Sequence, residues 1–234
     1  MFPLRVTDVK INIKSKRLIG PINLEIEQNG ISILLGANGS GKTTLLEALH
    51  GLKKLSAGKV EWTISHSLAA KEQAFVFQSP IMLRRTVAEN LAFPLKVRRL
   101  SKSTATAEAM AWAKKIGLEN KIKQQAVLLS GGEMQAIAVA RALITKPKML
   151  FLDEPTASLD GATKKTIEDI LIFASRNGTK IVMSTHDLGQ AKRLAKDIIF
   201  LHRGVVEAHC SKEKFLTEPT SKAAKQFLAG DIVL

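Results

Sequence analysis

The stretch ISILLGANGSGKTTLLEALHGL, Ile31 to Leu52, decides how the rest of the chain is read. The apolar run ISILL has the character of a buried strand, and TTLLEALHGL that of a helix. Between them GANGSGKTT, Gly36 to Thr44, fits the pattern G-x-x-x-x-G-K-[ST] in the strand-then-helix setting that the pattern requires. Gly36, Gly39 and Gly41 let the backbone turn tightly and aim its N–H groups at phosphate oxygens. Lys42 can carry its charge to the β- and γ-phosphates, and the Thr43 hydroxyl is a candidate Mg²⁺ ligand. The loop residues Gly36, Asn38, Gly39, Ser40, Gly41, Lys42, Thr43 and Thr44 are therefore the candidate nucleotide site. A chance Gly-rich turn would have no need of the flanking strand and helix.

Outward from this loop the chain alternates strand and helix. Short alternating segments, LRVTDVKINI, INLEIE and KVEWTI, predict an N-terminal antiparallel sheet. Apolar runs at 31–36, 74–78 (AFVFQ), 148–154 (KMLFLDE), 180–185 (KIVMST) and 197–202 (DIIFLH) read as parallel strands separated by helices, an α/β pattern. From Gln78 to about Leu129 no run is strand-like. Thr86-Val87-Ala88-Glu89 fits a capping box, with Leu91 and Leu95 as the apolar face that follows. Ala109, Trp112, Ala113 and Ile116 recur at helical spacing, and Gly117 supplies a stop. The expected fold is α/β: a P-loop NTPase with a mainly parallel central sheet, an N-terminal antiparallel β subdomain and an inserted α-helical subdomain at about 79–147. The whole of 1–234 reads as one such domain.

Composition narrows the class. Hydrophobic residues make up 45% of 234, enough for a sizeable core. No run approaches the roughly 18 to 20 apolar residues of a membrane span. MFPLRVTDVK lacks the apolar stretch of a secretory signal, and with Cys210 the only cysteine no internal disulfide can form. These features suggest a soluble protein of a reducing compartment. The formal charge of +14 comes from 35 Lys+Arg against 21 Asp+Glu, spread in pairs such as Arg84-Arg85, Arg98-Arg99 and Lys164-Lys165. A solvated basic surface, an anionic membrane face and nucleic acid all fit such a charge. There is no dense basic tail, Tyr is absent and aromatics are 5%, which argues against base-stacking platforms and so against nucleic acid.

Further motifs carry chemistry. In KMLFLDEPTASLD, Lys148 to Asp160, an apolar strand ends in two adjacent carboxylates: Asp153 can hold Mg²⁺ and Glu154 is placed to polarise an attacking water. His186, in STHD after KIVM, could help position that water, although a lone His at a strand end is more often structural. Gln78, ending AFVF, could touch the metal or be an ordinary strand-end glutamine. LLSGGEMQAIAVARAL, Leu128 to Leu143, reads as a buried helix with Met134, Ile137, Ala138 and Arg141 at i, i+3, i+4 and i+7. Ser130-Gly131-Gly132 gives it a start suited to binding an anion, a second phosphate site beside the first.

In order, GANGSGKTT, VFQ, LSGGE, LFLDEP, SLD and STHD resemble the ATP-binding-cassette ATPases over nearly the whole chain, and LSGGE upstream of LDEP is specific to them. The resemblance implies ATP and Mg²⁺ as ligands. It makes Gln78 the Q-loop glutamine, Ser130, Gly131, Gly132 and Glu133 the signature, Asp160 the D-loop aspartate and His186 the switch histidine. Nucleotide contacts are implied for all of these, with Thr43, Gln78 and Asp153 as metal ligands and Glu154 and His186 as catalytic residues. It also implies a head-to-tail pair in which the signature of one copy caps the ATP held by the other. Two departures stand out. No aromatic lies between Phe2 and Trp62 to stack on adenine, where an aliphatic such as Ile13 would have to serve. Ala136 stands where the family commonly has a basic residue, a change expected on the helix surface.

Two other classes compete. A DNA-maintenance cassette would carry a long coiled coil between Thr44 and Ser130, and a ribosome-acting one usually has two cassettes. A nucleotide kinase or GTPase would leave LSGGE unexplained. The chain therefore resembles the ATPase subunit of a bacterial importer, held at the cytoplasmic face of the inner membrane through integral permease subunits and served indirectly by a solute-binding protein. SPIMLRRTVAENLAFPL would form the docking groove. VFQSPIMLRRTVAENLAFPL and the ending KQFLAGDIVL are similar to importers of oxyanions, tungstate above all, with phosphate, molybdate and amino acids as alternative cargo. An exporter or a non-transport ABC ATPase is the remaining alternative.

Overall fold

The computed structural model describes residues 1–231, so the last three residues of the ending KQFLAGDIVL lie outside the described residues. In chain order the first half holds β1 (Leu4–Ile13), β2 (Lys16–Ile26), β3 (Ile31–Leu35), α1 (Lys42–His50), β4 (Ala57–Glu61), α2 (His66–Lys71), β5 (Gln73–Val76), α3 (Val87–Val97) and α4 (Lys102–Lys115). The second half holds α5 (Gly131–Leu143), β6 (Met149–Leu152), α6 (Gly161–Arg176), β7 (Lys180–Thr185), α7 (Leu188–Leu194), β8 (Asp197–His202), β9 (Val205–Ser211), α8 (Lys212–Thr217) and α9 (Lys222–Ala229).

The three expected antiparallel strands form a separate sheet in the order β2-β1-β4. Alternation in β1 buries Leu4 and Val6, then skips a residue and buries Val9 and Ile11. The extra residue is accommodated by a register shift between Val6 and Val9, where Asp8 takes a φ of 48°. This bulge keeps Leu4, Val6, Val9 and Ile11 on the inner face, while Ile13 at the strand end is exposed.

The second sheet runs β5-β6-β7-β3-β8-β9 and is parallel except for β9, which pairs antiparallel with β8. Its inner strands β6, β7, β3 and β8 are buried on both faces, and their side chains divide by parity into two cores. Ile31, Ile33, Leu35, Leu150, Leu152, Ile181 and Met183 face one side, where they join α6, α7 and the helices α3, α4 and α5. Leu34, Met149, Phe151, Val182 and Ile199 face the other, against α1 and the small sheet. The stretch between β5 and β6 is helical, apart from a single bridge between Thr86 and Gln125. The capping box forms, with the Glu89 amide donating to Thr86 Oγ1 at 3.2 Å and the Thr86 amide donating to Glu89 Oε2 at 3.0 Å. The α4 helix stops before Gly117, whose φ is 70°. Ala136 is 4% exposed, so the departure expected on the surface of α5 lies in the core instead.

Where the parallel strands begin, a charged cluster is buried. Lys180 is 1% exposed, donates to the Asn29 carbonyl at 3.1 Å and lies 3.6 Å from Asp197 Oδ1. Ser32 Oγ donates to Asp197 Oδ2 at 2.7 Å, and His209 Nε2 lies 3.0 Å from the same oxygen. Burial lowers Lys180 from its ordinary value despite the neighbouring carboxylate. Burial by itself would push Asp197 up, but His209, Lys180 and Ser32 together hold it below the usual carboxylate range. A carboxyl depressed in the folded state adds stability above its unfolded pKa, and that stability is lost as pH falls through the folded value. Asp197→Asn should therefore flatten the acid limb of a stability–pH profile. It should also cost about 3 kcal/mol at neutral pH by leaving the Lys180 ammonium unpaired, which urea titrations at pH 7 and pH 4 would read.

Candidate functional site

The loops that follow β3, β5, β6 and β7 meet at the carboxyl edge of the parallel sheet, the usual place for a ligand in an open α/β sheet. Each glycine of the β3 loop has its own reason. A Cβ on Gly36 would fall 2.2 Å from the Leu201 carbonyl oxygen. Gly41 has φ 104°, and its Cβ would lie 2.7 Å from Ile19 Cγ2. Gly39 has φ 79° and would meet nothing within 4 Å, so conformation alone demands glycine there. No side chain caps α1, which leaves its first-turn N–H groups available to an anion. Ser40 Oγ is buried without a partner.

Lys42 is 5% exposed and folds back over the loop, donating to the carbonyls of Gly36 at 2.9 Å and Ala37 at 3.1 Å. Its Nζ also lies 3.2 Å from Glu154 Oε1. Thr43 Oγ1 donates to Asp153 Oδ2 at 2.7 Å, joining the start of α1 to the end of β6. The other carboxylate oxygen of Glu154 lies 3.0 Å from His186 Nδ1. Glu154 is thus clamped between an ammonium and an imidazole, with a backbone φ of 41° that non-glycine residues rarely adopt.

A cleft of about 510 Å³ opens over these groups. Asn38, Gly39, Gly41, Lys42, Thr43, Thr44, Gln78, Glu154 and His186 all line it, whereas Asp153, bonded to Thr43, and the loop residues Gly36 and Ser40 do not. Gln78 stands two residues past the end of β5 and is exposed. Leu18 lines the cleft, whereas Ile13, the expected aliphatic platform, is 52% exposed and does not. Leu18 and Ala157 were not anticipated, because nothing in their spacing sets them apart, and Ser158 stood in the SLD motif without being assigned a role.

Ser130, Gly131, Gly132, Glu133 and Asp160 do not line this cleft. Ser130 caps α5 within its own capping box, in which the Glu133 amide donates to Ser130 Oγ at 3.3 Å and the Ser130 amide donates to Glu133 Oε2 at 3.0 Å. The Glu133 carboxylate also takes Lys121, which together with Ser130 holds it below the usual range. Asp160 caps α6, accepting at 3.0 Å from the amides of both Ala162 and Thr163. Its carboxyl is lowered by Thr163 first and then Ala162. A Cβ on Gly132 would touch Thr163 Cγ2 at 3.2 Å, so the two helix starts lie side by side. Ser130, Gly131 and Asp160 are exposed. This one chain therefore presents two separate places, a phosphate cleft and an exposed pair of helix N-termini.

The ABC transporter family model matches residues 19–157. The chain is 37% identical over 205 residues to the tungstate uptake system ATP-binding protein of Peptoclostridium acidaminophilum, covering 87% of this chain and 96% of that one. It is 33% identical over 242 residues to the phosphate import ATP-binding protein of Campylobacter jejuni, covering 97% and 98%. Against the glutamate transport ATP-binding protein of Corynebacterium efficiens it is 31% identical over 237 residues, covering 96% and 97%. A solved ATP-binding subunit of an ABC transporter shares the fold, with a TM-score of 0.82 at 20% identity over 92% of both chains. The chain belongs to the ABC transporter family, and within it to the subunits that bind and hydrolyse ATP.

The loop geometry yields a direct test. Gly41→Ala adds both a disfavoured φ and a clash with Ile19, whereas Gly39→Ala adds only the former. Titration with a fluorescent ATP analogue should show Gly41→Ala binding about tenfold or more weakly than wild type, with Gly39→Ala between the two.

Proposed function

We propose that this chain is the ATPase subunit of a bacterial importer, working as a head-to-tail pair on integral permease subunits. The observation that carries the catalytic part is Glu154, held between Lys42 and His186 and one residue from the Thr43–Asp153 bond. The Thr43 hydroxyl, the Asp153 carboxylate and the Gln78 amide oxygen are hard oxygen donors, which suits Mg²⁺. Bound there, the ion would offset the charge on the phosphates. Loop amides and Lys42 bind phosphate oxygens. Glu154 orients the attacking water and takes its proton, while His186 fixes the direction of the Glu154 carboxylate.

The separation of the signature residues from the cleft supports the pairing. Ser130, Gly131 and Asp160 are exposed together, and in a head-to-tail dimer they would cover the phosphates held by the other copy. No helix among the described residues is long and apolar enough to cross a membrane, in keeping with a channel made by other chains. The reading places the subunit at the cytoplasmic face of the inner membrane, with a solute-binding protein on the far side. A groove of about 530 Å³ beside α3, lined by Phe77, Ile81, Phe93, Val97 and Arg141 among others, is the surface offered to the permease. It belongs to the helical subdomain that we assign to about 79–147. For cargo, the tungstate and phosphate relatives favour an oxyanion, tungstate first, with amino acids as the alternative that the glutamate relative suggests.

Glu154→Gln keeps the shape of the site and removes the base. Steady-state turnover should fall by about 10²-fold or more while ATP still binds. Near-normal hydrolysis by the purified variant would move the base elsewhere. The pairing is tested by complementation. Chains with Lys42→Ala and with Ser130→Arg, both also carrying Glu154→Gln, are mixed. The mixed dimer has one intact site and should retain ATP through gel filtration, whereas neither homodimer does. No retention by the mixture, when the Glu154→Gln control retains ATP, means that the signature acts within its own subunit.

A further inference from the structure

Ser184, the next-to-last residue of β7, has no accessible surface. The strand around it is apolar, with Ile181, Val182 and Met183 equally buried, so packing alone would be served by any small side chain. A hydroxyl in such a place is costly unless bonded, and this one uses both of its capacities. It donates to Asp153 Oδ1 at 2.7 Å and accepts from the Glu154 amide at 2.9 Å.

Each bond fixes something different. The two oxygens of Asp153 are divided between two hydroxyls, Thr43 on Oδ2 and Ser184 on Oδ1. Thr43 faces the cleft and belongs to the proposed metal set, whereas Ser184 does not line the cleft. Ser184 thus holds the rotation of the carboxylate from behind. The second bond catches the chain where the sheet ends. The Asp153 amide still bonds the Val76 carbonyl at 2.9 Å, continuing the ladder. The next amide, that of Glu154, belongs to the residue with φ 41° and takes Ser184 Oγ in place of a ladder carbonyl. Two residues further along, His186 meets the side chain of the same glutamate. The end of β7 therefore grips Glu154 by its backbone and by its carboxylate.

We propose that Ser184 is a positioning residue for hydrolysis, whose single hydroxyl locks the Asp153 carboxylate and the Glu154 backbone into one unit. It acts through those two residues without touching the nucleotide, and the inference rests on the roles proposed for them above. The experiment compares Ser184→Ala, Ser184→Thr and Ser184→Cys with wild type and with Glu154→Gln. The readouts are kcat and KM for ATP, the Mg²⁺ dependence of equilibrium nucleotide binding in the Glu154→Gln background, and the thermal midpoint. Ser184→Ala should lower kcat by about tenfold, the scale of one hydrogen bond, with KM within about twofold. The Mg²⁺ concentration needed for half-maximal binding should rise several-fold. Ser184→Thr keeps the hydroxyl and should recover most of kcat. If Ser184→Ala does not fold, Ser184→Cys takes its place, retaining the volume with a weak donor, and should show the same split. A kcat within about twofold of wild type in the hydroxyl-less variant overturns the inference. So does an equal fall of kcat and thermal midpoint in both Ala and Thr variants, which marks a packing residue. Normal turnover by Glu154→Gln removes the assignment of the site itself, and the inference with it.

Discussion

The 2.7 Å bond between Thr43 and Asp153 joins the two halves of the chemistry, the phosphate loop and the acidic strand end. Neither half would be useful alone. A glycine loop can bind phosphate but carries no base, and a strand-end carboxylate pair has nothing to act upon. The bond exists because β3 and β6 run parallel with β7 between them, so that their carboxyl ends come level. The rest of the fold serves to keep that edge in register.

Register is kept from both ends of the strands. At the carboxyl end, hydroxyls of Thr43 and Ser184 converge on Asp153 from two directions. At the amino end, Lys180 and Asp197 tie the starts of β7 and β8 to Ser32 of β3 and the Asn29 carbonyl. Between the two polar clusters the strands are apolar on both faces, which specifies burial but weakly specifies offset. A slip by one residue would exchange the two cores and break both clusters at once.

Much of this was legible in the sequence. The apolar runs located β3, β6, β7 and β8 because a strand buried on both faces must be apolar throughout. The glycines and the lysine–threonine pair marked the loop because no other residues meet its steric and charge demands. Thr86 to Glu89 marked a helix start through the chemistry of its cap. Other parts left no such mark. β9 has mixed burial and sits at a sheet edge, so VVEAHCS carries neither a continuous nor a clean alternating pattern. Lys180 begins an apolar run and looks like an ordinary solvated flank, since its partners are distant in sequence. Ala136 was misplaced because α5 is buried nearly all round, so helical periodicity does not single out a solvent face. Ser184 stood inside a recognised motif, but its two bonds arise only when β6 and β7 lie side by side. Glu133 and Asp160 were legible as motif members, yet their caps, not the cleft, occupy their carboxylates.

The burial of α5 also limits how the molecule can move. Residues Gln135 through Ala140 are all buried, and the helix spans 13 residues, about 20 Å. Its exposed beginning carries Ser130 and Gly131, while Ala138, Arg141 and Ala142 near its end line the apolar groove beside α3. With its middle buried on every side, the helix has neither a spin nor a slide that leaves its contacts intact, so it behaves as a stiff rod embedded in its neighbours. A push at its beginning must appear as displacement at the groove, with no soft joint between them in which the motion could be lost.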